Sequence, residues 1–496
     1  MPIVSSIAGQ ILDDVYLIET SGGESITGES TDIVGLVGVF QQGIPTAYYE
    51  IGDYTNAVKY LGKSLSTIGG PMAIQNLIRQ SAGDLRVVPC FGTNAAVASV
   101  TLNDSKSSLF GTLTAAQTHP QKSTMYPLYG SGPNSWVAKV TVNTDNTFNL
   151  SIVSGSVTEN YNKLSTSTWA DTVNASSTIV IASTAATPNT NTPAVGNFTF
   201  SGGSIGTVTS GNALDAALIG TTNTDGTKTG LTLLAGLDLN FIMAAEYSST
   251  TLNTELADFA NENQCIAVLS PDLSTTTPDA VITEIGTVSQ DNVVFVDNQG
   301  IFYDADVEAN RDCMMNAPVC GVAAVLSPQQ SWGNKAISGC QGIVYPRSRT
   351  ELIDLQEGDV MTVSDSIPRG GLGIRNGVAT DGSQIYVRRM RYYLEKSIVD
   401  SMGWAVDELQ STSANDSLRS NVKQTISTFL EGLVNDSVID SYLVVCDKTN
   451  NPDDQIAVGK LHVTVKVRLL AAAQMIIITA DISTSTITTS STASAS

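Results

Sequence analysis

Around residue 470 the sequence holds two segments that cannot stand alone. "KLHVTVKVRL", Lys460 to Leu469, alternates without a fault: Leu461, Val463, Val465, Val467 and Leu469 on one face, Lys460, His462, Thr464, Lys466 and Arg468 on the other. A period of two is that of a half-buried strand. Shortly after it, "AQMIIITADIS", residues 473 to 483, carries Met475, Ile476, Ile477 and Ile478 with no charge among them, and then a tail of almost nothing but Ser, Thr and Ala. An uncharged β-branched run left on an open edge is an aggregation site. Any fold for this chain must therefore supply a sheet for both segments to enter.

Upstream, Val15, Tyr16, Leu17 and Ile18 form one extended stretch between Asp13–Asp14 and a Gly22–Gly23 turn, an arm with little of its own to pack against. From Ile33 the pattern is that of a folded unit. "IVGLVGVF" reads as a buried strand, "YTNAVKYLG" and "GPMAIQNLIRQSAG" as helices, and "DLRVVPCFG" as a second strand. Pro71 suits a first helical turn and Gly83 a stop.

Residues 97 to about 230 are dominated by Ser, Thr, Asn, Gly and Val, with "WVAKVTV" and "TFNLSIVSG" flanking the turn "NTDN". This is a hairpin inside a β-rich, loop-rich domain. From about Leu237 strands and helices alternate, which implies βαβ crossovers and a largely parallel sheet. After Ile353 two amphipathic helices follow, one with Val387, Met390, Leu394, Ile398 and Met402 on its stripe, the other with Leu418, Val422, Ile426, Phe429 and Leu433. "YLVVCD" reads as a short buried strand. The fold class is a mixture of α+β and α/β in several domains.

Length agrees: 496 residues correspond to roughly three domains. Acids outnumber bases 47 to 25, for a net charge of −22, which argues against direct binding to a nucleic-acid backbone. The start lacks the basic and apolar regions of a secretory signal, so synthesis in a cytoplasm is the default expectation. The longest apolar stretch, Leu469 to Ile482, is interrupted by Gln474 and Asp481 and falls short of the ~20 residues of a membrane span. The six cysteines have no CxxC spacing and read as buried free thiols. The two histidines, His119 in a polar loop and His462 on a polar strand face, read as solvated, which removes most His-dependent catalysis.

Three patterns invite enzymatic readings, and none has the context its chemistry needs. "GGSIG", Gly202 to Gly206, matches a nucleophile elbow around Ser204, but no helix follows it, so a turn is expected. "GGLGIRNG", Gly370 to Gly377, lacks the Lys-Ser/Thr ending of a phosphate loop. "DKTNNPDD", Asp447 to Asp454, gathers acids without EF-hand spacing and contains Pro452, so it reads as an ordinary turn. No catalytic residue, metal site or cofactor is expected. "RRMRYYLEK" is different: Arg388, Arg389 and Arg391 form a basic stripe suited to an acidic partner surface, or to a solvated face with Arg391 paired to Glu395.

Taken in order, several segments resemble one family. "STDIVGLVGVFQQGIPTAYYEIGDYTNAVKYLG", "YPLYGSGPNSWVAKVTV", "PVCGVAAVLSPQQSWGNKAISGCQGI", and "IYVRRMRYYLEKSI" through "IAVGKLHVTVKVRLL" are similar to the contractile tail sheath proteins of bacteriophages and related injection machines. Ser331-Trp332-Gly333 stands where the family reads Gly-Val-Trp. The resemblance implies a discontinuous core domain from residues 31–96 and 350–470, an inserted β-rich outer domain at 97–232 and an inserted α/β domain at 233–349. An N-terminal linker arm (1–30), an exchanged strand (471–483) and a Ser/Thr tail (484–496) complete it.

It further implies that Val15 to Ile18 and Met475 to Ile478 enter the sheets of neighbouring subunits. Leu461, Val463, Val465 and Val467 would form the accepting core strand, and Gly22 and Gly23 the arm hinge. The expected partners are further copies in a helical stack, an inner tail tube, and baseplate and terminator proteins, with no nucleic acid and no membrane insertion. The expected function is a structural one: sheathing a tube and contracting to drive it through a host envelope for genome ejection. Deleting residues 1 to 22 is expected to leave a folded chain that fails to assemble. Stable sleeves from that variant under negative-stain electron microscopy would show that the arm is not the linker.

Overall fold

The computed structural model describes the backbone of Ile3–Val4 and Leu17–Ile18, and residues 26–474 apart from 156, 188–189, 209–210 and 287. At its centre is a six-stranded sheet in the order Val293–Phe295, Ile266–Leu269, Phe241–Ala244, Val34–Val39, Leu85–Cys90, Tyr49–Ile51. The first five strands are parallel and the last is antiparallel.

Helices cover both faces, which is why these strands are continuous apolar runs rather than alternating ones. On one face Val34, Leu36, Phe241, Met243, Val268 and Val294 pack against helices Tyr54–Leu61, Gly70–Arg79 and Asn316–Val325, and against the fully buried Trp332. On the other, Val37, Ile242, Ala244, Ala267, Leu269 and Phe295 meet helices Asn212–Ile219, Thr250–Glu262 and Pro278–Ile285. Helix and strand touch most closely at Gly70, where an added Cβ would lie 2.5 Å from the Val39 carbonyl oxygen. Only glycine permits that approach.

Residues 31–96, expected in a core domain with 350–470, place their strands in one sheet with those of 241–295, Val34 to Val37 pairing with Phe241 to Ala244. Parallel strands need a crossover partner, and the nearest segment able to supply further parallel strands is the α/β stretch, not the C-terminal one. Residues 361–385 do add Met361, Val363, Ile374 and Ile385 to the first core face. A polar joint ties the parts together. Arg311 contacts Asp304 at 3.1 Å and donates to the Ser64 hydroxyl at 3.2 Å and to the Leu65 and Ile68 carbonyls at 3.2 and 3.1 Å.

The β-rich domain packs two sheets. One runs Val157–Leu164, Phe148–Ser154, Val137–Val142, Gly196–Thr199; the other Val180–Thr184, Leu109–Thr118, Ser99–Asn103, with Met125–Pro127 also on Leu109–Thr118. The expected hairpin is there, in register from Val137↔Val153 to Val142↔Phe148. Trp169 stacks on Phe110 at 5.4 Å and, with Phe148 and Phe200, fills the space between the sheets. The domain ends earlier than residue 232, because Leu214, Leu218, Leu231 and Leu234 pack into the second face of the central sheet. Ser204 lies in a β-bridge with Ala96, its hydroxyl accepting from the Gly206 amide at 3.0 Å.

His119 is buried, against expectation. Its loop folds onto the Thr46 segment, with Nε2 3.3 Å from the Thr46 carbonyl and the ring 4.7 Å from that of Tyr126, and burial lowers its pKa. The cysteines are free thiols, all buried except the half-buried Cys340. No described helix is long and apolar enough to cross a membrane.

Glu246, between the central sheet and the 309–314 strand, accepts from the Met314 amide at 2.8 Å while its other carboxylate oxygen has no partner. Burial pushes its pKa up to about 7 from 4.5. The folded state therefore holds a proton that the unfolded chain releases, and stability falls as pH rises from 4.5 to about 7. Glu246→Gln keeps the Met314 contact and removes this dependence. Its unfolding midpoint should match the parent near pH 4.5 and exceed it increasingly towards pH 8; parallel midpoints in thermal melts across that range would refute the assignment.

Candidate intersubunit docking site

The chain after Gln384 builds a separate small module. Helix Ser417–Asn435 begins at Asp416, whose side chain accepts from the Arg419 amide at 3.0 Å. Arg419 is itself buried and donates to the Ser411 carbonyl at 2.8 Å and to that of Ser413, which clamps the preceding loop. Leu418, Val422, Ile426 and Leu430, one face at helical spacing, pack with Met390 and Leu394 of helix Ile385–Ser401 and with Ile439, Val444 and Cys446.

Upon this pair lies a sheet of two strands only, Ile439–Val445 antiparallel to Thr464–Leu469. The acid-rich stretch 447–454 lies in the connection between them and leads into a short helix, Asp453–Ala457. Fully buried Asn451 donates to the His462 carbonyl at 2.8 Å and accepts from its amide at 2.7 Å, while Asn450 donates to the Val445 carbonyl at 2.8 Å. Among the described residues neither outer edge of this sheet has a ladder partner. Its apolar covering is also incomplete: Val465, Val467 and Leu469 are half-buried, and Leu443 is 53% exposed.

The strand expected to accept a neighbour's segment is shorter than expected, Thr464–Leu469. Leu461 and Val463 precede it, and it belongs to this two-stranded sheet rather than to the core sheet, because Asn450 and Asn451 take up the backbone at His462. Val387, expected on the apolar stripe, is 43% exposed; Tyr386, Arg389 and Tyr392 occupy the buried face instead.

The basic stripe is mostly consumed inside the molecule. Arg388 pairs with Asp291 at 3.2 Å and lies 4.5 Å from the Tyr392 ring centre. Arg389, 4% exposed, donates to the Thr31 carbonyl at 2.9 Å and lies over the Phe241 ring at 5.1 Å, burial lowering its pKa to about 10. Arg391 pairs with Glu395 at 2.7 Å on the exposed side.

Both extensions start from helix Ile385–Ser401. On the N-terminal side the Glu29 amide donates to the Ser397 hydroxyl at 3.1 Å. Gly28 lies so near Tyr393 that an added Cβ would sit 2.4 Å from its hydroxyl. On the C-terminal side the Tyr386 hydroxyl donates to the Leu470 carbonyl and accepts from the Ala472 amide, each at 3.2 Å. Sequence reasoning missed Tyr386 and Ser397, and placed Arg389 on a surface stripe rather than in the interior. Their only signal was polar atoms on the buried face of an amphipathic helix. Of the proposed exchange residues, Leu17 and Ile18 form a short strand parallel to Ile3–Val4. Val15, Tyr16, Gly22, Gly23 and Met475 to Ile478 lie outside the described residues.

The fold of the chain as a whole is similar to that of solved sheath proteins. The chain superposes on the one from Desulfitobacterium hafniense with a TM-score of 0.60 at 16% identity, covering 87% of this chain and 93% of that one. For the sheath tail protein of Listeria innocua the TM-score is 0.59 at 13% identity, over 90% and 96% of the two chains. For the contracted helical sheath of the anti-feeding prophage it is 0.55 at 13% identity, over 96% and 99%. Within this fold, residues 380–483, which contain the whole two-strand module, match the phage tail sheath C-terminal domain family. No curated protein matches the chain by sequence.

Tyr386→Phe removes the one hydroxyl that holds both Leu470 and Ala472. A neutral hydrogen bond contributes about 0.5–1.5 kcal/mol, so the unfolding midpoint should move little. Limited proteolysis beyond residue 470 should nevertheless accelerate several-fold; an unchanged cleavage rate would show that the anchor is unimportant.

Proposed function

We propose that the chain is the sheath subunit of a contractile phage tail. Copies polymerise helically around an inner tube. On a signal from the baseplate the stack contracts and drives the tube through a bacterial envelope, so that the genome is ejected. The carrying observation is the two-stranded sheet whose outer edges have no ladder partner among the described residues, in one module with a helix that holds the root of each extension. Backbone donors and acceptors on such an edge are met by strands from other copies, the Val15 to Ile18 and Met475 to Ile478 segments. Each exchanged hydrogen bond contributes only ~0.5–1.5 kcal/mol, but repetition along a helical stack makes the mesh hard to sever. The links persist while the bodies they join rotate and slide.

The reading is structural and gives the chain no catalytic task or cofactor. Assembly takes place in the host cytoplasm and ends in the virion tail, against tube, baseplate and terminator proteins. A second reading, the sheath of a non-phage injection system, is favoured by the likeness to anti-feeding prophage sheath over nearly the whole chain. The purified chain should form hollow sleeves at high concentration under negative-stain electron microscopy, and removal of residues 475–496 should leave folded, unassembled protein. A monodisperse monomer at every concentration would overturn the proposal.

A further inference from the structure

Two unpaired charged surfaces lie on opposite sides of the central sheet. The first is basic. Strands Lys335–Ala336, Gly373–Ile374 and Val363–Ser364 form a small sheet in which Lys335 faces Ile374, the residue before Arg375. The connecting loop is held tightly: the Ile367 amide donates to the Gly371 carbonyl at 3.0 Å and the Gly370 amide to that of Ile367 at 2.8 Å, with Ile367 buried. The Arg369 amide donates to Asn334 Oδ1 at 2.8 Å, which sets the loop beside Lys335, and Arg375 donates to the Ser366 carbonyl at 2.9 Å. Lys335, Arg369 and Arg375 make no ion pair among the described residues, and Asp365 is the single acid between Val363 and Arg375.

The second surface is acidic. Helix Thr250–Glu262 buries Leu252, Leu256, Ala257, Phe259 and Ala260 and turns Glu255, Asp258 and Glu262 to solvent in a single stripe. None of the three has an ion-pair partner among the described residues. Like charges three and four residues apart on a helix repel, a cost that a cationic partner relieves.

Val363 and Ile374, beneath the basic loop, belong to one core face, while Leu252 and Leu256, beneath the acidic stripe, belong to the other. The sheet therefore keeps the two surfaces apart within one molecule. Two such surfaces on opposite faces suit a head-to-tail contact between molecules, and a heterologous contact builds rings or helices when repeated. We propose that the loop carrying Lys335, Arg369 and Arg375 docks on the Glu255–Asp258–Glu262 stripe of a second copy and sets the register of the stack. The inference rests on the sheath reading. It adds a contact between bodies that is separate from strand exchange, and one that salt weakens.

Charge reversal in the full-length chain tests it. Arg369→Glu with Arg375→Glu should raise the concentration needed for sleeve formation by at least about tenfold, with an unchanged unfolding midpoint. Glu255→Lys with Glu262→Lys should do the same. Mixing the two variants, or combining all four changes, should restore assembly seen by sedimentation and electron microscopy. Sleeves indifferent to the reversals overturn this contact alone. Reversals that abolish assembly without mutual rescue overturn the acidic stripe as partner and transfer the loop to another acidic surface, such as a tube subunit. A parent chain that forms no oligomer overturns the sheath reading and this contact with it.

Discussion

A backbone edge without a partner is the constraint around which the C-terminal module is arranged. Two strands alone are marginal in water, and here helix Ser417–Asn435 covers one face while neither outer edge has a ladder partner among the described residues. Buried N–H and C=O groups demand partners, and open edges recruit them. The module makes that demand directional. It holds the chain at Glu29 and at Leu470 on one helix, Ile385–Ser401, through Ser397 and Tyr386, so the roots of both extensions keep a fixed relation to the sheet.

The rest of the molecule is built to be stiff. The central sheet is covered on both faces, the Arg311 joint ties residues 64–68 to Asp304, and the Arg347 guanidinium holds Asp297 at 3.0 Å in a site almost free of solvent. Arg389 fastens the module to this body through Thr31 and the Phe241 ring. Its Nε and Nη1 have no hydrogen-bond partner, so removing the Thr31 contact would leave a buried charge with little compensation. Rigid bodies of this kind suit the proposed function, in which exchanged strands link subunits that move without coming apart.

Elements with a strong period were read well from the residues. The hairpin at 137–154, the parallel-strand runs at 34–39, 241–244 and 266–269, and the stripe Leu418, Val422, Ile426 all stand where their patterns place them. The grouping of those elements was less legible. Strands 34–39 and 85–90, expected in a domain with the C-terminal segment, pair with each other, and strand 34–39 takes its second ladder partner from 241–244. A buried parallel strand is apolar on both faces and carries no mark of which other strand it pairs with. His119 and Arg389 failed for a related reason: polar side chains read as solvated until a carbonyl or ring from a distant segment, Thr46 or Phe241, closes over them.

Local order came from near neighbours along the chain, since apolar spacing, capping residues and turn amides act within a few positions and leave their signature there. Alternation from Lys460 to Leu469 was enough to demand a sheet, and the uncharged run after it a second partner. Distance was settled only by packing. That strand Thr464–Leu469 would pair with Ile439–Val445, that one helix would anchor both Glu29 and Leu470, and that acidic and basic surfaces would lie on opposite core faces depended on contacts between residues far apart in the chain. Such contacts are chosen by shape and burial in three dimensions, for which a linear pattern has no symbol.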